Sequence, residues 1–286
     1  MRSVVWRCGR FDLNLDRAVV MGVVNVTPDS FSDGGRYDAA DAAVRHADSL
    51  IAEGAGIIDI GGESTRPGAS SVPADQELAR VLPVLEALRS RNVPVSVDTC
   101  KPEVMRAVLD AGADIINDIS GFRNAAAREV VARHPSCGLC VMHMQGEPRT
   151  MQQSPHYLDV VHEVVASLKG MADILVADGI SSDRIALDPG FGFGKSVVHN
   201  YELLRDLGRL GELGFPVLIG VSRKSMIGAV TGRSVEHRLS GSLAAALWAV
   251  AHGAHVVRVH DVAQTVDALK VWRAIETGAK EAQNES

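Results

Sequence analysis

Eight short apolar runs, each ending in a polar residue, constrain this chain more than any other feature. They are VVMGVV before Asn25, IIDIGG at 57–62, PVSV before Asp98, and DIIN at 114–117. GLCVMH at 138–143, RIAL before Asp188, PVLIGV before Ser222 and HVVRVH at 255–260 complete the set. The runs are rich in Val and Ile and do not alternate with polar residues, as in strands covered on both faces of a parallel sheet. Between them, apolar residues recur at helical spacing: Ala40, Val44, Ala47 and Ile51; Leu78, Val81, Leu82 and Leu85; Leu203, Leu207 and Leu210. Gly54, Gly112 and Gly253 end helices just before the next run. Pro94 and Pro216 open strands, where a missing N–H is tolerated.

Eight such units without a break in composition predict a single (β/α)8 barrel, one domain over 1–286. An open doubly wound sheet is the alternative architecture. Residues 4–15 alternate loosely and predict a hairpin within 1–18, ahead of the barrel, and 279–286 form a polar tail.

A content of 46% hydrophobic residues allows one large core, and a net charge of −6 with no basic tract argues against nucleic acid as the main partner. No stretch reaches the roughly 20 apolar residues of a membrane span. The opening MRSVVWRCGRF lacks a signal-peptide core, so a cytoplasmic location away from any membrane is expected. Four cysteines make no disulfide framework. Cys137 and Cys140 form one CxxC, but Leu139, Val141 and Met142 continue it as a strand, without a second ligand pair or a following helix.

In a barrel the carboxyl ends of the strands meet at one mouth, where active sites lie. Here that edge carries Asn25, Glu63, Asp98, Asn117 with Asp118, His143, Asp188, Ser222, and Arg258 with His260. Turn chemistry enriches Asp and Asn at such positions, but it does not require polar groups at all of them. Arg66, Lys224 and Arg258 lie on three loops around the mouth and point to a phosphate or diphosphate. Asp98 and Asp188 end apolar runs, so both carboxylates should sit deep, with Asn117 between them. Such a slot suits a flat ligand rich in N–H donors; a glycosidase-like acid–base pair is the other use of two carboxylates. DPGFGFGKS at 188–196 has the wrong count for a phosphate-binding P-loop and is expected to be a tight glycine loop exposing Phe191 or Phe193.

The motifs NVTPDSFSDGG, GGESTRPGA, SVDT, IINDISG, VMHMQGEP, DPGFGFGK, GVSRKSMIG and VVRVHDV occur in that order at the strand ends. Together they closely resemble the bacterial dihydropteroate synthase family, from Met21 to about Val262. The resemblance implies a homodimeric, Mg²⁺-dependent barrel that joins 4-aminobenzoate to 7,8-dihydropterin-6-ylmethyl diphosphate, giving 7,8-dihydropteroate and diphosphate. It implies pterin contacts from Asp98, Asn117, Met142, Asp188 and Lys224. It gives the diphosphate to Asn25, Arg66, Arg258 and His260, with Asn25 also at the metal. Thr65, Pro67, Phe193 and Ser225 fall in the 4-aminobenzoate pocket with Phe31, and Asp33 is the first-loop acid that helps assemble the reacting site. Asp33, Phe31, Lys224 and Asp98 are thus the expected catalytic set. Phe31 and Asp33, near Ser32, Gly34 and Gly35, are expected to join only when both substrates are held. A pterin-binding methyltransferase barrel would share the Asp/Asn slot but has no use for STRPG and SRK. A catalytically silent pterin-binding paralogue is the non-enzymatic alternative.

Overall fold

The computed structural model describes residues 4–26, 36–64 and 71–278. The sequence order of elements is a hairpin, β1 (Val5–Cys8) and β2 (Phe11–Asn14), followed by β3 (Val19–Asn25), α1 (Arg36–Ala52), β4 (Ile57–Gly61) and α2 (Ala74–Leu88). The alternation continues through β5 (Val95–Asp98), α3 (Pro102–Asp110), β6 (Ile115–Asp118), α4 (Ala125–Arg133), β7 (Gly138–Met142) and α5 (Val160–Ala177). It ends with β8 (Ile185–Asp188), α6 (Val197–Arg205), α7 (Gly208–Gly211), β9 (Leu218–Ile219), α8 (Ser225–Thr231), α9 (Leu239–Ala251), β10 (Val256–Val259) and α10 (Val262–Thr277).

Strands β3 to β10 pair in parallel in the order β8-β7-β6-β5-β4-β3-β10-β9. The remaining gap is bridged where Leu187 faces Val217, and the Leu187 N–H donates to the Pro216 carbonyl at 2.8 Å. The sheet therefore closes into the predicted (β/α)8 barrel, and the open doubly wound alternative is excluded. The β9 strand is only two residues long, shorter than its apolar run, because Pro216 brings no N–H to the ladder and the chain leaves it by Gly220.

The two faces of the barrel wall differ in chemistry. Outward residues such as Val24, Ile58, Ile60, Val97, Ile116, Val141, Leu187 and Val257 pack against the helices in one continuous core. The inward face is mainly apolar at the amino end. There Met21, Ile57, Ile115, Cys140, Ala186, Leu218 and Val256 form a separate cluster with Trp6, Cys8 and Leu15. The hairpin is thus a plug for the floor of the barrel. Trp6 is fully buried, and its indole N–H donates to the Arg184 carbonyl at 3.0 Å. Gly9 makes the hairpin turn at φ 59°, pressed so closely on Asp114 that a Cβ there would stand 2.6 Å from its Oδ1.

Cys137 and Cys140 lie where the strand was expected, on β7 and just before it. Both thiols are buried, and burial holds each above its ordinary pKa. Cys137 Sγ lies 3.1 Å from Arg184 Nη2, inside the contacts that anchor that buried guanidinium to the Cys137 and Val131 carbonyls. Among the described residues, no helix is long and apolar enough to cross a membrane.

Candidate active site

Two residues further along each strand, one layer above the apolar floor, the inward face turns largely polar. Asp59, Asp98, Asn117, Asp188 and Arg258 all sit on this upper layer, at or near the carboxyl ends of β4, β5, β6, β8 and β10. Parity explains it: in a strand every second residue shares a face, so Ile57 and Asp59, Ile115 and Asn117, Ala186 and Asp188, and Val256 and Arg258 point the same way.

Four of these groups form one network. Arg258 donates through Nε to Asp59 Oδ2 at 2.7 Å and through Nη2 to Asp98 Oδ2 at 3.2 Å. Asn117 Nδ2 reaches the same Asp59 oxygen at 3.4 Å. Among the described residues, Asp59 Oδ1 and Asp98 Oδ1 are buried without a hydrogen-bond partner. Burial raises the Asp98 carboxyl to about 7; Arg258 opposes the rise and Asp59 adds to it. Burial works against the Arg258 charge, but Asp59 and Asp98 outweigh it and hold the guanidinium above its ordinary value.

Asp188 anchors a second group. Its Oδ1 accepts the Gly190 N–H at 2.7 Å. Burial raises its carboxyl, countered by Lys224, the Gly190 N–H, Lys195 and Arg258. The Lys224 ammonium donates to the Phe191 carbonyl and stands 4.6 Å from the centroid of the Phe193 ring. Burial draws Lys224 down to about 8, with Asp188 pulling the other way. Met142 packs with Ile119, Met144 and Met151, and Phe193 and Cys100 lie against that cluster. The glycine loop therefore presents Phe193 to the mouth, whereas Phe191 is fully buried.

The remaining predicted residues divide cleanly. Asn25, half-buried at the end of β3, faces Gly61, where an added Cβ would come within 3.5 Å of its Oδ1. His260 Nδ1 is 3.1 Å from Ser222 Oγ, which fixes the imidazole beside the end of β10. Ser225 is exposed at the first position of α8, next to Lys224. Glu63 pairs with Lys101, which also holds Glu77 on α2. Asp118 is consumed by its own loop, accepting Ser120 N–H at 2.7 Å, Ser120 Oγ at 2.8 Å and Phe122 N–H at 2.8 Å. Phe31, Asp33, Thr65, Arg66 and Pro67 lie outside the described residues.

Two residues of the site were not singled out from sequence. Asp59 lies inside an apolar run, and its signal was a carboxylate four positions before Glu63, the run's polar end. Lys195 is the lysine of DPGFGFGKS, 2% exposed, with its Nζ 3.0 Å from His143 Nδ1. Burial draws Lys195 to about 7, and burial with the Lys195 charge holds His143 at about 3, so that imidazole stays neutral.

A closed parallel barrel with buried carboxylates, an amide and cations converging on one mouth defines a small-molecule enzyme of the (β/α)8 class. Residues 21–260 match the family model described as pterin binding enzyme. The chain is 53% identical over 281 residues to the dihydropteroate synthase of Neisseria meningitidis serogroup B, covering 96% of this chain and 99% of that one. It is 49% identical over 263 residues to the Escherichia coli K12 dihydropteroate synthase, covering 92% and 93%. Among solved structures, Burkholderia cenocepacia dihydropteroate synthase complexed with 7,8-dihydropteroate superposes with a TM-score of 0.89 at 51% identity, covering 98% of this chain and 99% of that one. The Xanthomonas albilineans dihydropteroate synthase with 4-aminobenzoic acid gives 0.91 at 51% identity, covering 96% and 99%. The chain belongs to the dihydropteroate synthase family of pterin-binding enzymes.

Proposed function

We propose that this protein is a transferase of folate biosynthesis that condenses 4-aminobenzoate with (7,8-dihydropterin-6-yl)methyl diphosphate, releasing diphosphate and forming 7,8-dihydropteroate. The observation that carries it is the buried acceptor set at the barrel mouth: Asp188, Asn117 and Asp98, whose Oδ1 has no partner among the described residues. A pterin edge offers a ring N–H beside an amino group, and an ionised carboxylate accepts such a pair side by side. Asp188 takes that pair, Asp98 and Asn117 meet other polar atoms of the heterocycle, and Met142 packs on its flat face. Lys224 reaches the ring from the end of β9, exchanging its contact with the Phe191 carbonyl for one with the ligand.

Arg258, His260, Asn25 and Arg66 take the diphosphate. As the C–O bond to the methylene breaks, its electron pair leaves with the diphosphate, and these groups stabilise the growing negative charge. The electron-rich dihydropterin carries the positive charge left on the methylene carbon, an S_N1-like course. Thr65, Pro67, Phe193 and Ser225 hold 4-aminobenzoate so that its nitrogen attacks that carbon and then sheds a proton. Phe31 and Asp33 complete the closed site and exclude water that would capture the cation.

Mg²⁺ would be held by Asn25 together with substrate oxygens. Among the described residues, no three His, Cys, Asp or Glu side chains gather around a common point. That donor set fits a hard cation that takes one protein oxygen and completes its shell with phosphate oxygens and water. When bound, it supplies charge neutralisation at the diphosphate.

The proposal extends to a single-domain, cytoplasmic homodimer. Trp248 on α9, 47% exposed, and Val271 and Ile275 on α10, 62% and 76% exposed, give those helices apolar outer faces, and sedimentation tests the association. The function is tested by mixing the purified protein with the pterin diphosphate and Mg²⁺, with and without 4-aminobenzoate. Release of diphosphate matched by dihydropteroate, and dependent on the arylamine, is the expected result. Methyl transfer, or pterin binding without turnover, would sink the proposal.

A further inference from the structure

The glycine loop after β8 is held by donors on both sides: Gln152, Tyr157 and Lys224 reach the Gly192, Gly194 and Phe191 carbonyls from outside, and Lys195 serves the other two from the loop's own end. Gly190, Gly192 and Gly194 have φ of 67, 80 and 63°, conformations that turn their neighbours' carbonyls in different directions. Buried carbonyls need donors, and Lys195 supplies two at once. Its Nζ lies 3.0 Å from the Gly190 oxygen and 3.0 Å from the Phe193 oxygen. The same ammonium is 3.0 Å from His143 Nδ1 and 3.3 Å from the His143 oxygen, at the end of β7. Gly190 joins this nest to the pocket: its N–H holds Asp188 Oδ1 while its carbonyl accepts from Lys195.

We propose that Lys195 is a positioning residue for the reaction: its ammonium fixes the 190–194 loop so that Phe193 stands at the mouth, and it sets a positive charge behind Asp188. The proposal rests on the assignment of Asp188 to the pterin and Phe193 to the arylamine. Lys195 itself touches neither substrate. A deeply buried ammonium surrounded by neutral acceptors is costly, and cheaper apolar packing could fill the same volume. Two consequences offset that cost here. The loop carbonyls are paired, and the field at Asp188 favours the ionised carboxylate that a pterin needs as acceptor. Asp188 is faced by Lys224 after β9, Arg258 on β10 and the Cys140 thiol on β7, with Asp59 and Asp98 across the barrel. Removing one of the cations leaves burial less opposed and raises the Asp188 carboxyl further.

The test compares Lys195→Met, Lys195→Arg and Asp188→Asn with the wild type. Affinity for 6-hydroxymethylpterin is measured by calorimetry from pH 5 to 8.5, and kcat and KM for 4-aminobenzoate by steady-state assay. Lys195→Met should shift the acid-side loss of pterin affinity upward by about one pH unit and raise the KM for 4-aminobenzoate about tenfold through a loosened Phe193. Arginine keeps the charge but cannot seat its planar fork among the same carbonyls. Lys195→Arg should therefore raise KM and leave the acid limb of the pH profile, where both side chains are charged, in place. A folded methionine variant with the wild-type profile and KM would overturn the proposal. If methionine does not fold, an unchanged KM in the arginine variant overturns it. Failure of both to fold would make Lys195 a folding residue and overturn it equally. Asp188→Asn separates the underlying assignment: should it bind the pterin like the wild type, Asp188 is not the pterin acceptor, and the Lys195 proposal falls with that assignment.

Discussion

Replacing Asp188 by Asn changes one buried group by one atom, and the structure fixes which way the new amide must face. Asp188 Oδ1 accepts the Gly190 N–H at 2.7 Å. The amide oxygen of the substituted side chain would have to keep that bond, because turning the NH₂ toward Gly190 would set donor against donor. The amide nitrogen is then left pointing into the slot, where a pterin held as proposed presents its own N–H donors. Two hydrogen bonds to a charged acceptor are worth roughly 1.5–3 kcal/mol each, and as neighbours they do not add fully, so about 4 kcal/mol is a fair figure for the loss. That corresponds to a weakening of roughly a thousandfold.

The fold should be indifferent. Burial already raises the Asp188 carboxyl, so at neutral pH the folded state bears a cost for its charge, and the neutral amide removes it. Lys224 and Lys195 lose an attractive neighbour in exchange. The thermal midpoint should stay within a few degrees of the wild type. Calorimetric titration with 6-hydroxymethylpterin, alongside a melting curve, reads both quantities. A variant that melts normally and binds pterin within about threefold of the wild type would refute the slot chemistry, since threefold is less than 1 kcal/mol.

Other perturbations probe the rest of the mouth and the barrel floor. Arg258→Ala leaves Asp59 and Asp98 buried together without their shared cation, at a cost of about 3–5 kcal/mol. Asp98, already raised to about 7, rises further in that variant: at pH 5 it is protonated in both proteins, whereas at pH 8 the wild type holds it charged against Arg258 and the variant has no such partner, so the loss of thermal stability should be larger at pH 8. The same variant should weaken the diphosphate-bearing substrate more than the free pterin, as titration with each would show. Lys224 is charged below about 8 and loses its proton above, so kcat/KM for the pterin diphosphate should fall as pH rises through that value, and a flat profile to pH 9.5 would count against its role. Trp6→Ala removes the largest side chain of the barrel floor and should cost about 3–5 kcal/mol in chemical denaturation while leaving pterin affinity unchanged.

The barrel and most of its rim were legible because both depend on local pattern. A polar residue at the end of an apolar run marks the point where a strand leaves the wall, and Asn25, Asp98, Asn117 and Asp188 were all found that way, whereas Arg258, inside its run, was found as a cation. Asp59 escaped because its run continues past it, and nothing local distinguishes an inward from an outward position on a strand covered on both faces. Only the closed register makes Asp59 the neighbour of Arg258, 199 residues later. Lys195 escaped for another reason: its motif was tested against a phosphate loop, and the failure of that match hid the possibility that the lysine serves its own loop. Asp118 shows the converse. It stands at a strand end like the others, yet all its named bonds go to the turn that follows it.

The inward layer of Asp59, Asp98 and Arg258 is hard to explain as a stabilising device. An ion network of this kind, replaced by well-packed apolar residues, often leaves a protein no less stable or makes it more so. The apolar layer beneath it, from Met21 to Val256, shows that this barrel can be filled with apolar side chains. What the charged layer provides is acceptor oxygens that are fixed, desolvated and incompletely used: Arg258 takes one oxygen of each carboxylate and leaves Asp59 Oδ1 and Asp98 Oδ1 without partners among the described residues. An unused acceptor in a buried wall has already lost its water, so a ligand N–H that reaches it gains nearly the full strength of the bond instead of exchanging one partner for another. The desolvation cost is met when the chain folds, and the ligand does not meet it again on binding. A slot arranged in this way rejects molecules that match its shape but lack its donors, because they would leave the same oxygens unpaired.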